Sequence, residues 1–372
     1  MPRKNENRTA PLRGKRWRRV AAAACVSASA FAYAGLSGCS TVSYPQSPQF
    51  GDDGFQNVRK PRPLGWRETS KLWWDFLVGG KPAGTVPTRS IPVQAVTREQ
   101  LDEAADGTLY RLGHSTVLLK LDGRFWLTDP VFSERASPVQ WAGPKRFHAP
   151  PITLDKLPPL AAVVLSHDHY DHLDRETVRV LAAKTEVFLT PLGVGDRLVR
   201  WGVPRDKVRQ LDWWDDVELE GVRFTATPSQ HFSGRTLFDR NATLWASWVI
   251  QADGLRIFFS GDTGYFDGFR TIGERLGPFD LTLLECGAYD RRWQEVHMLP
   301  AQTLQAHLDL GGRSLLPIHN STFDLAFHGW SEPMESLYML SGQREVQIVT
   351  PTIGQPLTIA RPEATQPWWR AE

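Results

Sequence analysis

Ser166-His167-Asp168-His169-Tyr170-Asp171-His172-Leu173-Asp174 places three imidazoles within six positions, in a 372-residue chain that has only 10 histidines. The run before it, Ala161-Ala162-Val163-Val164-Leu165, is apolar and rich in valine, which predicts a buried strand. After it, Leu173, Val178, Leu181 and Ala182 recur at helical spacing as far as Ala183, and Asp174 is placed to cap that helix. The nine residues therefore form a tight strand-to-helix loop whose side chains converge. His167 and His169 are two apart and point the same way in an extended segment, so they suit one ion. Asp171 and His172 turn away and suit a second. Mixed His and Asp donors favour a borderline metal such as zinc over calcium or magnesium, which take oxygen alone. A merely solvated polar loop is disfavoured, because so many of the histidines fall behind one buried strand.

His-x-His-x-Asp-His after a hydrophobic strand resembles the signature of the metallo-β-lactamase fold superfamily. The resemblance implies an α/β chain folded as a single four-layer αββα sandwich, with further ligands at later strand ends. His231 follows Thr227-Pro228-Ser229-Gln230. Asp262 lies in Ser260-Gly261-Asp262-Thr263-Gly264, and His319 follows Leu315-Leu316-Pro317-Ile318. The implied set is His167, His169 and His231 on one zinc ion, and Asp171, His172 and His319 on a second, with Asp262 bridging. Two ions roughly 3.5–4 Å apart share a water, lower its pKa and yield a bridging hydroxide nucleophile. Asp171 is expected to orient that nucleophile as well as bind metal.

Working outward, residues 1–38 read as a signal peptide. Arg13, Lys15, Arg16, Arg18 and Arg19 precede an apolar and small-residue stretch from Val20 to Ala34, shorter than the ~20 residues of a membrane span. Leu36-Ser37-Gly38-Cys39 resembles a bacterial lipobox, which implies lipidation of Cys39. The expected location is the bacterial cell envelope, at the periplasmic face of the outer membrane, since Ser40 rather than Asp follows the cysteine. Without this leader the chain keeps 35 basic residues (43 less 8) and 40 acidic ones (41 less 1). No basic run survives, which excludes a nucleic-acid surface. Of the 3 cysteines, Cys25 leaves with the leader and Cys39 carries lipid, so Cys286 has no disulfide partner.

Residues 39–100 read as the lipidated cysteine, a tether and a lead-in. Ser40 to Pro63, rich in Ser, Gln, Pro and Gly, suits a flexible tether. The aromatic patch Lys71 to Leu77 is expected to pack over the outside of the domain rather than touch lipid. The domain itself, 101–372, opens with strands over Thr108–Leu112, Thr116–Leu121 and Phe125–Asp129. Strands continue over Glu186–Thr190, Val208–Leu211, Val217–Leu219, Val222–Thr227, Leu244–Ala252, Leu255–Ser260, Leu281–Glu285 and Ser314–Pro317, with a helix over Pro300–Leu308. Asp129 is expected to hold a ligand imidazole in one tautomer. His114 is read as structural or substrate-side, and His148 as surface.

Tyr265 after the Gly-Asp-Thr-Gly run, Gly277-Pro278-Phe279-Asp280-Leu281, Gly287-Ala288-Tyr289, Arg292-Trp293 and His297 narrow the resemblance. With Tyr170 inside the metal loop and Asp174 after it, they are similar to the branch of N-acylphosphatidylethanolamine-hydrolysing phospholipase D, from about Trp66 to Glu335. The resemblance implies a phosphodiesterase acting on such phospholipids, with His297 beside the metals as general acid and Tyr170 and Tyr265 near the substrate. His319-Asn320-Ser321-Thr322-Phe323 departs from the branch, whose mammalian members have Trp-Gly after that histidine, and this keeps other substrates open. One alternative is a lactonase or carboxylic ester hydrolase acting on a small soluble substrate. Another is a metal-binding envelope lipoprotein without catalysis.

Overall fold

The computed structural model describes residues 43–62, 65–75 and 80–370. The leader and Cys39 lie outside these described residues. A short hairpin, β1 (Phe50–Gly51) and β2 (Gly54–Phe55), precedes two seven-stranded sheets. The first contains β3 (Thr108–Gly113), β4 (Thr116–Leu121), β5 (Arg124–Thr128), β6 (Leu160–Val164), β7 (Thr185–Pro191) and β8 (Val208–Leu211). The second contains β9 (Asp216–Leu219), β10 (Val222–Thr227), β11 (Ser247–Ala252), β12 (Leu255–Phe259), β13 (Phe279–Glu285), β14 (Gly312–Ile318) and β15 (Gln347–Ile348). A last strand, β16 (Pro356–Thr358), returns to the first sheet beside β3.

Each sheet changes character in its middle. β16-β3-β4-β5 is antiparallel, and β5-β6-β7-β8 is parallel. β9-β10-β11-β12 is antiparallel, and β12-β13-β14-β15 is parallel. β6 is buried at every residue, as a strand paired in parallel on both edges must be when both faces are covered. β11 and β12 join over Asp253-Gly254, both at positive φ (46° and 74°), the backbone that two-residue hairpins require. The chain directions put the carboxyl ends of β3, β5, β6, β10, β12, β13 and β14 at one end of the molecule.

Three apolar layers hold the sheets. Between them lie Trp126, Trp245, Trp248, Phe224 and Phe259. Outside the first sheet, Leu101, Val178, Leu181, Val194 and Leu198 come from helices Arg98–Glu103, Arg175–Leu181 and Val194–Arg200. Outside the second, Phe269, Ile272, Leu304 and Leu337 come from helices Gly268–Leu276, Pro300–Asp309 and Glu332–Gln343. The order of layers is thus αββα, as expected. Emptying one of the buried Trp sites to Ala would cost about 3–5 kcal/mol.

Three expectations are corrected. From Tyr44 onward, the stretch read as a tether is packed: Tyr44 and Phe55 sit in the inter-sheet core, with Phe50 against them. Its Pro, Ser and Gln content hides three aromatic side chains that bury together. His148 is buried as well, with its ring hydrogen-bonded to Thr322 Oγ1 at 3.2 Å. Of the aromatic patch, residues 71–74 fall in helix Trp66–Trp74, where Trp74 is 61% exposed and its ring does not pack on the domain; residues 76–77 lie outside the described residues.

Candidate metal centre

The loop after β6 is held from several sides. Leu173 N donates to His169 O at 2.8 Å, which tightens the turn, and Asp174 caps the following helix through Glu176 N. Arg235 donates to the carbonyls of Asp168 and Leu173, both at 2.7 Å, and Arg197 pairs with Asp168 at 2.8 Å. These contacts give the imidazoles a rigid backbone, so little rotamer entropy remains to be lost when they take a ligand.

Two groups of donors form at the common strand end. His167, His169, His231 and Asp262 make one, and His114, Asp171, His172 and His319 make the other. In the first, His167 Nε2 and His231 Nε2 lie 2.9 and 3.2 Å from His169 Nδ1. Asp262 joins the two groups. Its Oδ1 is 3.1 Å from both His172 Nε2 and His319 Nε2, and its Oδ2 is 3.7 Å from both His167 Nε2 and His231 Nε2. All seven residues expected to bind metal are therefore brought together, with Asp262 in the middle.

The outward-facing ring atoms are also fixed. Asp129 Oδ2 accepts from His172 Nδ1 at 2.6 Å, while its two oxygens also take the Ser166 amide and hydroxyl. His231 Nδ1 donates to the Val296 carbonyl at 2.9 Å. Each contact chooses a tautomer and turns the other nitrogen towards the centre. His114, left open in the sequence, belongs to the second group: its Nε2 is 3.0 Å from Asp171 Oδ2, and His319 Nε2 reaches the same oxygen at 3.1 Å.

Burial keeps the rings of His167, His169 and His231 below the usual histidine range and lowers His114 to about 3, so these nitrogens keep their lone pairs. At His172 and His319 burial acts in the same direction, but Asp262 and Asp171 overcome it and lift His319 to about 9. Burial alone would also raise Asp171 and Asp262; His172 and the rings around them hold both carboxyls well below the usual range. Several of these buried atoms, His172 Nε2 and Asp262 Oδ1 among them, have no hydrogen-bond partner among the described residues. Four imidazoles held neutral (His114, His167, His169 and His231), two more drawn to ionised carboxylates (His172 and His319), and unpartnered atoms among them fit divalent metal ions, whose charge would take the place of the protons on those two rings.

His297 joins Asp262 and His319 in a third overlapping donor group, and its ring centroid is 5.0 Å from that of His231. Tyr170 donates its hydroxyl to the Arg235 carbonyl, and the Arg235 guanidinium covers its ring at 3.9 Å. That makes it part of the clamp on the loop. Tyr265 is a correction: its hydroxyl goes to Asp309 at 2.6 Å and its ring stacks on Phe269, so it braces two outer helices and not the substrate side. The chain turns into helix Gly268–Leu276 directly after the Gly-Asp-Thr-Gly run, which carries the side chain outward.

Some contributors left no signal in the sequence. Asn57, on the segment read as a tether, accepts from His231 N and Trp245 Nε1, both at 3.0 Å, and donates to His231 O at 2.7 Å. Nothing local distinguishes an Asn that braces a ligand 174 residues away. Val296 acts through its carbonyl, which any residue would supply. Gly287 is required for close approach, because a Cβ there would lie 1.9 Å from His319 O.

The profile of the Beta-lactamase superfamily domain matches residues 124–320. An uncharacterized protein of Mycobacterium tuberculosis is 41% identical over 334 residues, covering 87% of this chain and 88% of that one. N-acyl-phosphatidylethanolamine-hydrolyzing phospholipase D 1 of Caenorhabditis elegans is 35% identical over 269 residues, covering 69% and 76%. Among solved structures, a metallo hydrolase from Ignicoccus hospitalis superposes with a TM-score of 0.52 at 20% identity, over 67% of this chain and 97% of that one.

Proposed function

Because this chain belongs to the metallo-β-lactamase superfamily of metal-dependent hydrolases, we propose that its paired donor groups hold two zinc ions and hydrolyse phosphodiesters of the N-acylphosphatidylethanolamine class. The observation that carries the reading is Asp262, whose two oxygens each face a different histidine group. Such an arrangement serves two adjacent ions, whereas a structural site closes around one. When bound, the ions would lower the pKa of a water and offset charge on the phosphoryl oxygens.

The side chains supply the rest. Asp171, pinned by His114 and His319, orients the attacking water in line with the leaving oxygen. Asp129 and the Val296 carbonyl keep the ligand rings from rotating as charge develops. His297 stands beside Asp262 and His319 and donates a proton to the departing alkoxide. The phospholipid assignment is supported by the similarity to the Caenorhabditis elegans enzyme. The lipobox-like Leu36-Ser37-Gly38-Cys39 supports attachment to the bacterial envelope, beside such a substrate.

The test is product analysis. The zinc-loaded protein is incubated with N-acylphosphatidylethanolamine and the products are identified by mass spectrometry, with a chelator control. Phosphatidate and N-acylethanolamine, formed only without chelator, are expected. Intact lipid with both ions measured as bound would remove the phosphodiesterase reading and favour a small ester or lactone.

A further inference from the structure

We propose that Glu285 is the positioning residue for His297, a role that rests on reading His297 as the proton donor. Glu285 ends β13 and is fully buried, with its amide donating to Ser260 Oγ and its carbonyl accepting from Thr303 Oγ1, both at 3.0 Å. Its Oε1 accepts from Met298 N at 2.6 Å and lies 3.5 Å from His297 Nδ1. Glu285 Oε2 and His297 Nδ1 are each buried without a hydrogen-bond partner among the described residues. A buried carboxylate with one oxygen unpartnered and an adjacent buried ring nitrogen without a partner complete one another with a small rotation of the ring.

The geometry assigns the two faces of His297. Nδ1 is turned to Glu285, which leaves Nε2 for the side where Asp262 and His319 gather. In the reaction, the P–O bond to the departing alkoxide breaks as Nε2 transfers its proton to that oxygen. Nδ1–H stays directed at Glu285 throughout, and Nε2 then recovers a proton from water. The carboxylate thus aims the ring and prevents the tautomer exchange that would present the wrong nitrogen. Closing the loop through Met298 is a second and separable task of the same side chain.

Glu285→Gln separates the two tasks, because its amide oxygen still accepts from Met298 N while the charge facing Nδ1 is gone. The variant is compared with wild type and with His297→Ala on bis(p-nitrophenyl) phosphate, whose leaving group needs no proton, and on N-palmitoylphosphatidylethanolamine in micelles, whose alkoxide does. The expected result is a fall in kcat on the lipid of about 10- to 100-fold, a part of what a general acid contributes. KM, bound zinc and the rate on bis(p-nitrophenyl) phosphate should be nearly unchanged. His297→Ala should show the same selectivity, more strongly. A selective loss in His297→Ala with wild-type behaviour in Glu285→Gln overturns the role of Glu285 and leaves the proton donor standing. Equal losses on both substrates in His297→Ala overturn the donor reading itself. Equal losses in Glu285→Gln alone, with a lowered Tm, reduce Glu285 to a loop support. If the Gln variant does not fold, Glu285→Asp carries the test, since it keeps the charge but withdraws it from Nδ1: the same selective loss supports the proposal and wild-type behaviour overturns it.

Discussion

Replacing Asp129 by Asn should weaken one metal site and spare the other. Asp129 sits at φ 34°, in the left-handed region that Asn tolerates, so the backbone has no reason to move. What changes is one atom. At 2.6 Å from His172 Nδ1, an acceptor oxygen becomes an NH2 donor, or the amide flips and faces the Ser166 backbone N–H with it instead. In the first case the proton of His172 is driven onto Nε2, the nitrogen that faces Asp262 at 3.1 Å, and its lone pair is lost to metal. In the second, a buried donor at Ser166 is orphaned, at about 1–3 kcal/mol. Loss of such a supporting contact typically weakens metal affinity 10- to 100-fold, or about 1.4–2.8 kcal/mol. The weakened ion should be the one beside Asp171, His172 and His319. Zinc titration in chelator buffers, with metal content counted per chain, would show one affinity shifted and one intact. Two wild-type affinities in Asp129→Asn would refute the tautomer argument.

Other outcomes follow from the same geometry. Asp262→Asn should lower turnover by roughly 100-fold or more while Tm changes little, since electrostatic groups at the reacting centre carry the rate; equal proportional losses would sink the bridging role. Asn57→Ala leaves the buried His231 amide without its acceptor, while Trp245 Nε1 keeps only the Ser229 carbonyl at 3.0 Å. It should cost about 1–3 kcal/mol in urea unfolding and weaken the metal site containing His231, and unchanged binding would show the brace to be idle. Gly287→Ala puts a methyl against the His319 carbonyl, which should cost about 1–3 kcal/mol and displace His319, seen as weakened binding of added divalent metal with the fold retained by circular dichroism.

The centre was legible because its signal is local. His167 to His172 lie on one loop, and the later ligands each end an apolar run whose strand character can be read directly. Asp129 could be placed for the same reason, at the end of β5, which pairs with β6. What escaped reading depends on distance or direction. Asn57 acts on a residue brought close only by the assembled sheets, and Glu285 on residues 12 and 13 positions later, where the loop after β13 folds back on the strand end. Tyr265 follows a motif closely in sequence, yet the turn after Gly264 decides where its ring goes. Helix Val194–Arg200 is short and carries few apolar residues, so its period is weak against the Gly and Arg around it.

Buried Tyr44 also sets a length. From Cys39 to Tyr44 the chain makes five residue steps, a reach of at most about 17 Å at ~3.5 Å per residue. A lipid on Cys39 would then act as a mooring line and not a long leash. The catalytic domain would ride against the bilayer with one side always presented to it, and its substrate would arrive by diffusion within the same leaflet. Lengthening the line tests this hypothesis. About 20 Gly/Ser residues inserted between Val42 and Ser43 would add roughly 25 Å of mean reach, and should lower turnover of lipid in the host vesicle while leaving turnover in micelles unchanged. Equal rates in both would mean that proximity is set by something other than the chain.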